Sequence, residues 1–284
     1  MTKRIDRKVQ ALYAGKPTLE GAGVRLKRVF AFAEAPRFDP FLLLDDFGSR
    51  DPADYVAGFP WHPHRGIETV TYMLHGTVAH GDSLGNSGEI SDGQVQWMTA
   101  GSGIIHQEMP RRQPDYLRGF QLWVNLPAAD KMMAPRYRDI RPGDIPVART
   151  GDGVEVRVVA GRYGRMRGPV RDIVCDPEYL DVRLEAGREF RHPVKSGHTV
   201  FAFAFEGDGT CPADGTGLGG GTLAHFGDGD SVTLSAGRAG LRFLLVSGKP
   251  IGEPVAWRGP IVMNTEEELA RAFAEYRNGT FIKK

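Results

Sequence analysis

The stretch WHPHRGIETVTYMLH, residues 61–75, decides the reading of the fold. Its larger part, IETVTYMLH at 67–75, partly alternates apolar and polar side chains and is rich in β-branched residues, the pattern of a strand with one buried face. Working outward, the same pattern recurs at 23–31 (GVRLKRVFA), 94–99 (QVQWMT) and 117–126 (LRGFQLWVNL). Turn clusters lie between them: Gly81-Asp82, Gly85-Asn86-Ser87-Gly88 and Asp92-Gly93. Short strands so punctuated predict a β-sandwich or barrel and not a βαβ fold. PAADKMMAPR (127–136) offers at most a helical turn closed by Pro135, and the Pro-, Gly- and Asp-rich run RDIRPGDIPVARTGDG (138–153) is the expected domain boundary. Beyond it the strand pattern returns at 154–160, 179–184, 199–206, 231–235 and 241–247. The expectation is an all-β protein of two similar domains, residues 1–140 and 141–284. Only the end reads as helix, over about 266–277. Thr265 and Glu268 have capping-box spacing, Leu269, Phe273 and Tyr276 recur at helical intervals, and Asn278-Gly279 is a stop signal.

The chain has 284 residues, with 36 basic and 35 acidic side chains and a formal net charge of +1. That balance excludes nucleic-acid binding through bulk electrostatics, since no basic surplus exists to displace phosphate counterions. The 37 glycines and 19 prolines favour short strands and many turns over long helices. Cys175 and Cys211 cannot build a disulfide framework. The opening residues, MTKRIDRKVQALYAG, carry positive charge without an apolar run, and no stretch approaches the length that crosses a bilayer, so no membrane association and a cytoplasmic location are expected. A monomer is the expected state.

Five of the eight histidines fall between residues 62 and 106. On an extended chain, residues two apart share a face. His62 with His64, and His106 with Glu108, therefore form two donor pairs that could face one interior from neighbouring strands. Chance gives roughly 0.2 His-x-His pairs in such a composition, so weight rests on the two pairs together, with Gly101-Ser102-Gly103 pacing the second. Imidazole and carboxylate donors suit a first-row divalent metal and leave coordination positions open. Pro63 stiffens the first pair by fixing its own φ. Glu68 shares parity with His64, so geometry leaves both Glu68 and Glu108 available as the carboxylate ligand. His75 and His80 flank a turn and read as solvated. Met73, Met98, Phe120 and Leu122 are candidate pocket walls or plain core, and Arg65 either orients an oxygen or forms a salt bridge.

His62-x-His64-xxx-Glu68, followed by Gly103-xx-His106, resembles the two-part cupin metal motif. The fuller text, HPHRGIETVTYMLHG (62–76), QWMTAGSGIIHQEMP (96–110) and RGFQLWVNLP (118–127), resembles the pirin family, and so does GPIVMNTEEELARAFAEYRNGTF (259–281). The resemblance implies two cupin-type antiparallel β-barrels (a bicupin), with one metal, usually iron, in the first. It implies His62, His64, His106 and Glu108 as ligands, with Glu68 as a nearby hydrogen-bonding or structural group. It further implies one Fe(II) per chain, other divalent first-row metals being compatible, and a quercetin 2,3-dioxygenase activity on a flavonol or other small phenol. In that reaction Glu108 is the catalytic base toward the flavonol 3-hydroxyl. The alternative from the same family is a non-catalytic, iron-redox-sensitive regulator that binds a transcription factor or a metabolic enzyme. The second half carries no His-x-His, so a second metal site is not expected. Its Gly215-x-Gly217-xx-Gly220 resembles a phosphate loop but lacks the preceding strand and following helix, and a flexible hairpin loop over 207–221 is expected there.

Overall fold

The computed structural model describes residues 5–283. It is all-β apart from short 3₁₀ turns and one α-helix among the described residues. By their contacts the residues group into two units that are not the halves 1–140 and 141–284. One unit joins residues 16–142 to 251–283, and the other joins residues 5–15 to 143–250. Strand pairing and packing explain the exchange of ends. Val9–Ala14 pairs with Thr222–Phe226, and the helix packs with strands of the first unit through Leu269 and Ala272, against Ile261, Met263 and Phe281.

The first unit has two main antiparallel sheets and a small two-stranded one, Ala256–Arg258 with Ile261–Met263. Seven strands run in the order Arg136–Ile140, Val95–Thr99, Ile67–His75, Leu117–Asn125, Phe41–Ser49, Val24–Phe30, Lys16–Glu20. Four more run in the order Phe59–His64, Ile104–Pro110, Val78–Asp82, Ser87–Ile90. Val24, Leu26, Phe47, Met73 and Leu117 of the larger sheet pack with Val78 and Ile90 of the smaller, so the core lies between them. Neither sheet closes: Lys16–Glu20 and Arg136–Ile140 each hydrogen-bond one neighbour only, whereas a barrel requires its edge strands to pair. The expected barrels are therefore open sheets, while the all-β class holds.

The second unit is built on one nine-stranded sheet, with a separate two-stranded hairpin of Arg162–Tyr163 and Met166–Arg167. The sheet's main order is Val9–Ala14, Thr222–Phe226, Thr199–Cys211, Ser231–Gly248, Glu178–Leu184, Val154–Ala160, Val147–Thr150. Ser231–Gly248 changes partner along its length, pairing Glu189–Pro193 through residues 231–235 and Glu178–Leu184 through 241–247. This lets one ladder enclose a common core of Val156, Leu180, Phe190, Val200, Phe243 and Leu245. The glycine-rich run forms a strand, Thr216–Gly219, on Asp208–Cys211, with no phosphate-loop geometry. Both cysteines are buried and neither is in a disulfide.

The helix spans Glu266–Arg277 with its capping box formed: Glu268 N donates to Thr265 Oγ1 (3.2 Å), and Glu268 Oε2 accepts from Thr265 N (3.1 Å). No described helix is long and apolar enough to cross a membrane.

Candidate metal centre

Strand register brings the two donor pairs together. Ile104–Pro110 pairs with Phe59–His64 so that His106 lies opposite His62 and Ile104 opposite His64. Because side chains alternate, His62, His64, His106 and Glu108 all reach the interior. A register shift between His106 and Glu108 sets the glutamate opposite Phe59, the first residue of the partner strand. Gly66 ends the first pair in a left-handed conformation (φ +76°), and a Cβ there would strike Val262 O, so the turn from one sheet to the other requires glycine.

The three imidazoles are arranged as acceptors facing one point. His62 Nδ1 lies 2.9 Å from Pro60 O and His64 Nδ1 lies 3.0 Å from Pro260 O. Those carbonyls can only accept, so both Nδ1 atoms carry the proton and both Nε2 atoms present lone pairs. The two Nε2 atoms are 3.1 Å apart, which is repulsive unless a proton or cation lies between them. His106 is buried with neither ring nitrogen hydrogen-bonded, a costly state for a polar group without a ligand. The donor atoms of the three residues fall within 4.8 Å of one another and could hold a metal ion. Burial pushes the pKa of His62 down and those of His64 and His106 well down, with neighbouring imidazoles adding to the effect at the latter two. They stay neutral, as ligands must.

Glu108 stands beside this group. Its Oε2 is 3.9 Å from His106 Nε2, and its Oε1 is 3.2 Å from the hydroxyl of Thr71, which is itself 2.8 Å from Gln121 Oε1. Burial pushes the Glu108 carboxyl up to about 7, opposed by the Thr71 hydrogen bond. Three neutral nitrogens and one carboxylate oxygen, with an unpartnered imidazole among them, fit a first-row divalent ion. His62, His64 and Glu108 front a cavity of about 440 Å³ lined by apolar residues such as Val24, Leu26, Phe59 and Trp123.

Matches to two family descriptions cover most of the chain: Pirin at residues 23–124 and the pirin C-terminal cupin domain at 179–282. The chain belongs to the pirin family. It is 46% identical over 287 residues to a Pseudomonas aeruginosa protein named "putative quercetin 2,3-dioxygenase", covering 98% of this chain and 99% of that one. A "pirin-like protein" of Caulobacter vibrioides is 45% identical over 276 residues, covering 97% and 99%. Among solved structures, that of a quercetin 2,3-dioxygenase from Acinetobacter baumannii superposes with a TM-score of 0.89 at 33% identity, covering 98% of this chain and 99% of that one.

In this pirin Glu68 lies apart from the imidazole cluster in its bonding. Its Oε1 accepts from Thr99 Oγ1 (2.6 Å) and its Oε2 from Trp97 Nε1 (3.1 Å). Arg65 turns away from the cavity. It donates to Ser102 O, Glu275 Oε2 and Phe281 O at 2.7–2.8 Å and stacks on the Phe281 ring. The salt-bridge reading of Arg65 is the one that holds, and it ties the ligand strand to the carboxy-terminal segment. Lys131 braces the same turn, its ammonium donating to Gly66 O, Asn125 Oδ1 and Val262 O, and burial pushes it down to about 7.

His80 is not solvated: it is buried, with Nε2 3.2 Å from Gln96 Nε2. His75 is partly exposed and pairs with Asp92 and Asp115. The wall candidates Met73, Met98, Phe120 and Leu122 are buried outside the cavity lining. On the strand Leu117–Asn125 it is the odd-numbered residues Leu117, Gln121 and Trp123 that line it. Sequence reading passed over Thr71, Gln121 and Trp123. It also missed the charged group at the cavity wall, where Arg28 forks onto both Asp45 oxygens (2.9 and 2.8 Å) and reaches Glu20 (2.6 Å). Burial pushes Asp45 up to about 6, with Arg28 pulling the other way.

Proposed function

We propose that this pirin is a flavonol 2,3-dioxygenase, opening the heterocycle of quercetin or a related flavonol with one Fe(II) per chain held by His62, His64, His106 and Glu108. The supporting observation is the pair of facing Nε2 lone pairs on His62 and His64, 3.1 Å apart, beside a buried His106 with no partner of its own. A cation is the simplest group that satisfies all three. The names of the similar Pseudomonas and Acinetobacter proteins support the same chemistry. We take the protein to be a cytoplasmic monomer.

A bound first-row ion would supply Lewis acidity toward an enolic hydroxyl and redox contact with dioxygen. The chain's own residues account for the rest. The apolar walls take a flat aromatic ring system out of water, and Trp123, edge-on to His64 at 5.0 Å between centroids, offers it a face. Glu108 takes the proton of the flavonol 3-hydroxyl on Oε2, because Oε1 is held by Thr71. Its burial-raised pKa of about 7 suits a base working near neutrality, while a cation beside it acts in the opposite sense and keeps it ionised before substrate arrives. Over the whole reaction one dioxygen is consumed for each ring opened, and one carbon leaves as carbon monoxide.

The test is oxygen uptake with quercetin in Fe(II)-loaded native protein and two variants. Glu108→Gln is expected to lower turnover about 100-fold or more, and Glu68→Gln to retain one metal per chain. The reverse pattern would give Glu68 the ligand role. Loaded native protein without uptake would leave the iron-sensitive binding protein as the better reading.

A further inference from the structure

The second unit carries a cavity of about 680 Å³. It opens where the apolar interior of the nine-stranded sheet ends. Leu180, Phe190, Val200 and Leu245 belong to that interior, and the residues two positions along from each are polar: Glu178, His192, His198 and Ser247. Residues two apart on a strand share a face, and these four line the cavity. A hairpin of Arg162–Tyr163 with Met166–Arg167, together with residues of the following segment, lines the remainder.

The charges here do not all cancel. The lining holds four cationic side chains, Arg162, Arg167, Arg171 and Lys195, against Asp172, Asp176 and Glu178. Lys195 pairs with Asp176, and His192 Nε2 lies 3.0 Å from Glu178 Oε2. None of the three arginines is in a salt bridge among the described residues. Arg162 and Arg167 moreover face each other in the hairpin register, and like charges directly opposite on paired strands destabilise them. A ladder only two residues long on each strand has little to offset that cost. A local rule broken in this way is characteristic of a binding site. His198, which also lines the cavity, is buried with Nδ1 unpartnered.

We infer that this cavity binds a small polyanion, a phosphorylated or multiply carboxylated metabolite, held by Arg162, Arg167 and Arg171 with a hydrogen bond at His198 Nδ1. Guanidinium forks match phosphate and carboxylate oxygens two at a time, and the volume suits a small molecule. The near balance of charge in the lining selects a compact ligand with two or three charges over an extended polyanion. The site is separate from the imidazole cluster in its residues and does not depend on metal.

Isothermal titration of the intact protein with pyrophosphate, and separately with citrate, at fixed ionic strength tests this. Saturable one-to-one binding of at least one is expected, with the tighter of the two naming the ligand class. Replacing both hairpin arginines (Arg162→Ser with Arg167→Ser) should weaken it roughly tenfold or more, the loss expected from a charge-assisted hydrogen bond, while His106→Ala should leave it unchanged. A second readout needs no ligand: Arg167→Gln should raise the thermal midpoint in anion-free buffer by removing the like-charge pair, and should shrink the upward shift that pyrophosphate or citrate produces. Absence of saturable binding of both probes at millimolar concentration would overturn the inference, as would undiminished affinity in the double variant.

Discussion

The two units put the same two-residue alternation to different uses. In the first, inner-face positions on neighbouring strands are given to His62, His64, His106 and Glu108, and a cavity of about 440 Å³ remains beside them. In the second, comparable positions hold Val156, Val158, Ala202, Phe243 and Leu245, and the interior is filled. Backbone architecture alone therefore does not make a candidate metal site. What distinguishes the first unit is the exchange of methyl groups for nitrogen donors whose far sides are already engaged by carbonyls, as His62 and His64 are by Pro60 and Pro260. The first unit trades packing for chemistry, whereas the second keeps packing in its interior and polar groups at its end.

The comparison can be broken most sharply at the imidazoles. His62→Ala and His106→Ala are each expected to abolish stoichiometric metal, read by mass spectrometry of protein purified anaerobically. In the apo fold His106→Ala should cost only its ring packing against His62 and His64, with no hydrogen bond lost, because the nitrogens it removes have no hydrogen-bond partner. Metal retained by both variants would remove the distinction between the units. The converse test is Phe243→Ala in the second unit. It should cost about 3–5 kcal/mol in chemical denaturation, through lost burial and the cavity left behind, with metal content per chain unaltered.

A third test concerns pH. Burial raises the Glu108 pKa from 4.5 to about 7 in the metal-free protein. Between those values the native state binds more protons than the unfolded chain, so this group makes stability fall as pH rises. The lowered histidines act with the opposite sign below 6.5, so the informative quantity is the difference from Glu108→Gln. Relative to that variant, metal-free native protein should lose about 3 kcal/mol between pH 4.5 and 7, measured by denaturation at several pH values. Equal slopes would place Glu108 in a more solvated setting. The smallest expected effect is Thr265→Ala, about 1 kcal/mol from the lost helix cap, read as a lower denaturation midpoint.

Much of the first unit was legible from partial alternation and β-branched content. Leu117–Asn125 partly alternates in burial as well, whereas Ile67–His75 is buried through its first seven residues, so its polar Glu68, Thr69 and Thr71 face the interior of the protein and not solvent. Phe41–Ser49 was not legible, since FLLL is a continuous apolar run, which periodicity cannot assign to strand or helix. Phe59–His64 carries two prolines and passes as a loop by composition, yet it is the edge strand of the smaller sheet, where proline is tolerated. Gly81-Asp82 reads as a turn but ends the strand Val78–Asp82, with Asp82 accepting from Leu84 N and Asn86 N to form the turn one step later.

In the candidate site the clustering of His62, His64 and His106 was legible from spacing. The roles of Thr71, Gln121 and Lys131 were not, because each depends on contacts between strands or segments far apart in the chain. The crossing of the termini was hidden for the same reason: nothing within VQALYA says that its partner is Thr222–Phe226.

The most direct measurement is oxygen consumption by protein loaded with one Fe(II) per chain, on addition of quercetin, with carbon monoxide followed in the same vessel. The account predicts quercetin-dependent uptake, carbon monoxide in equal amount, and loss of both in Glu108→Gln. Full iron occupancy with neither uptake nor carbon monoxide would contradict it.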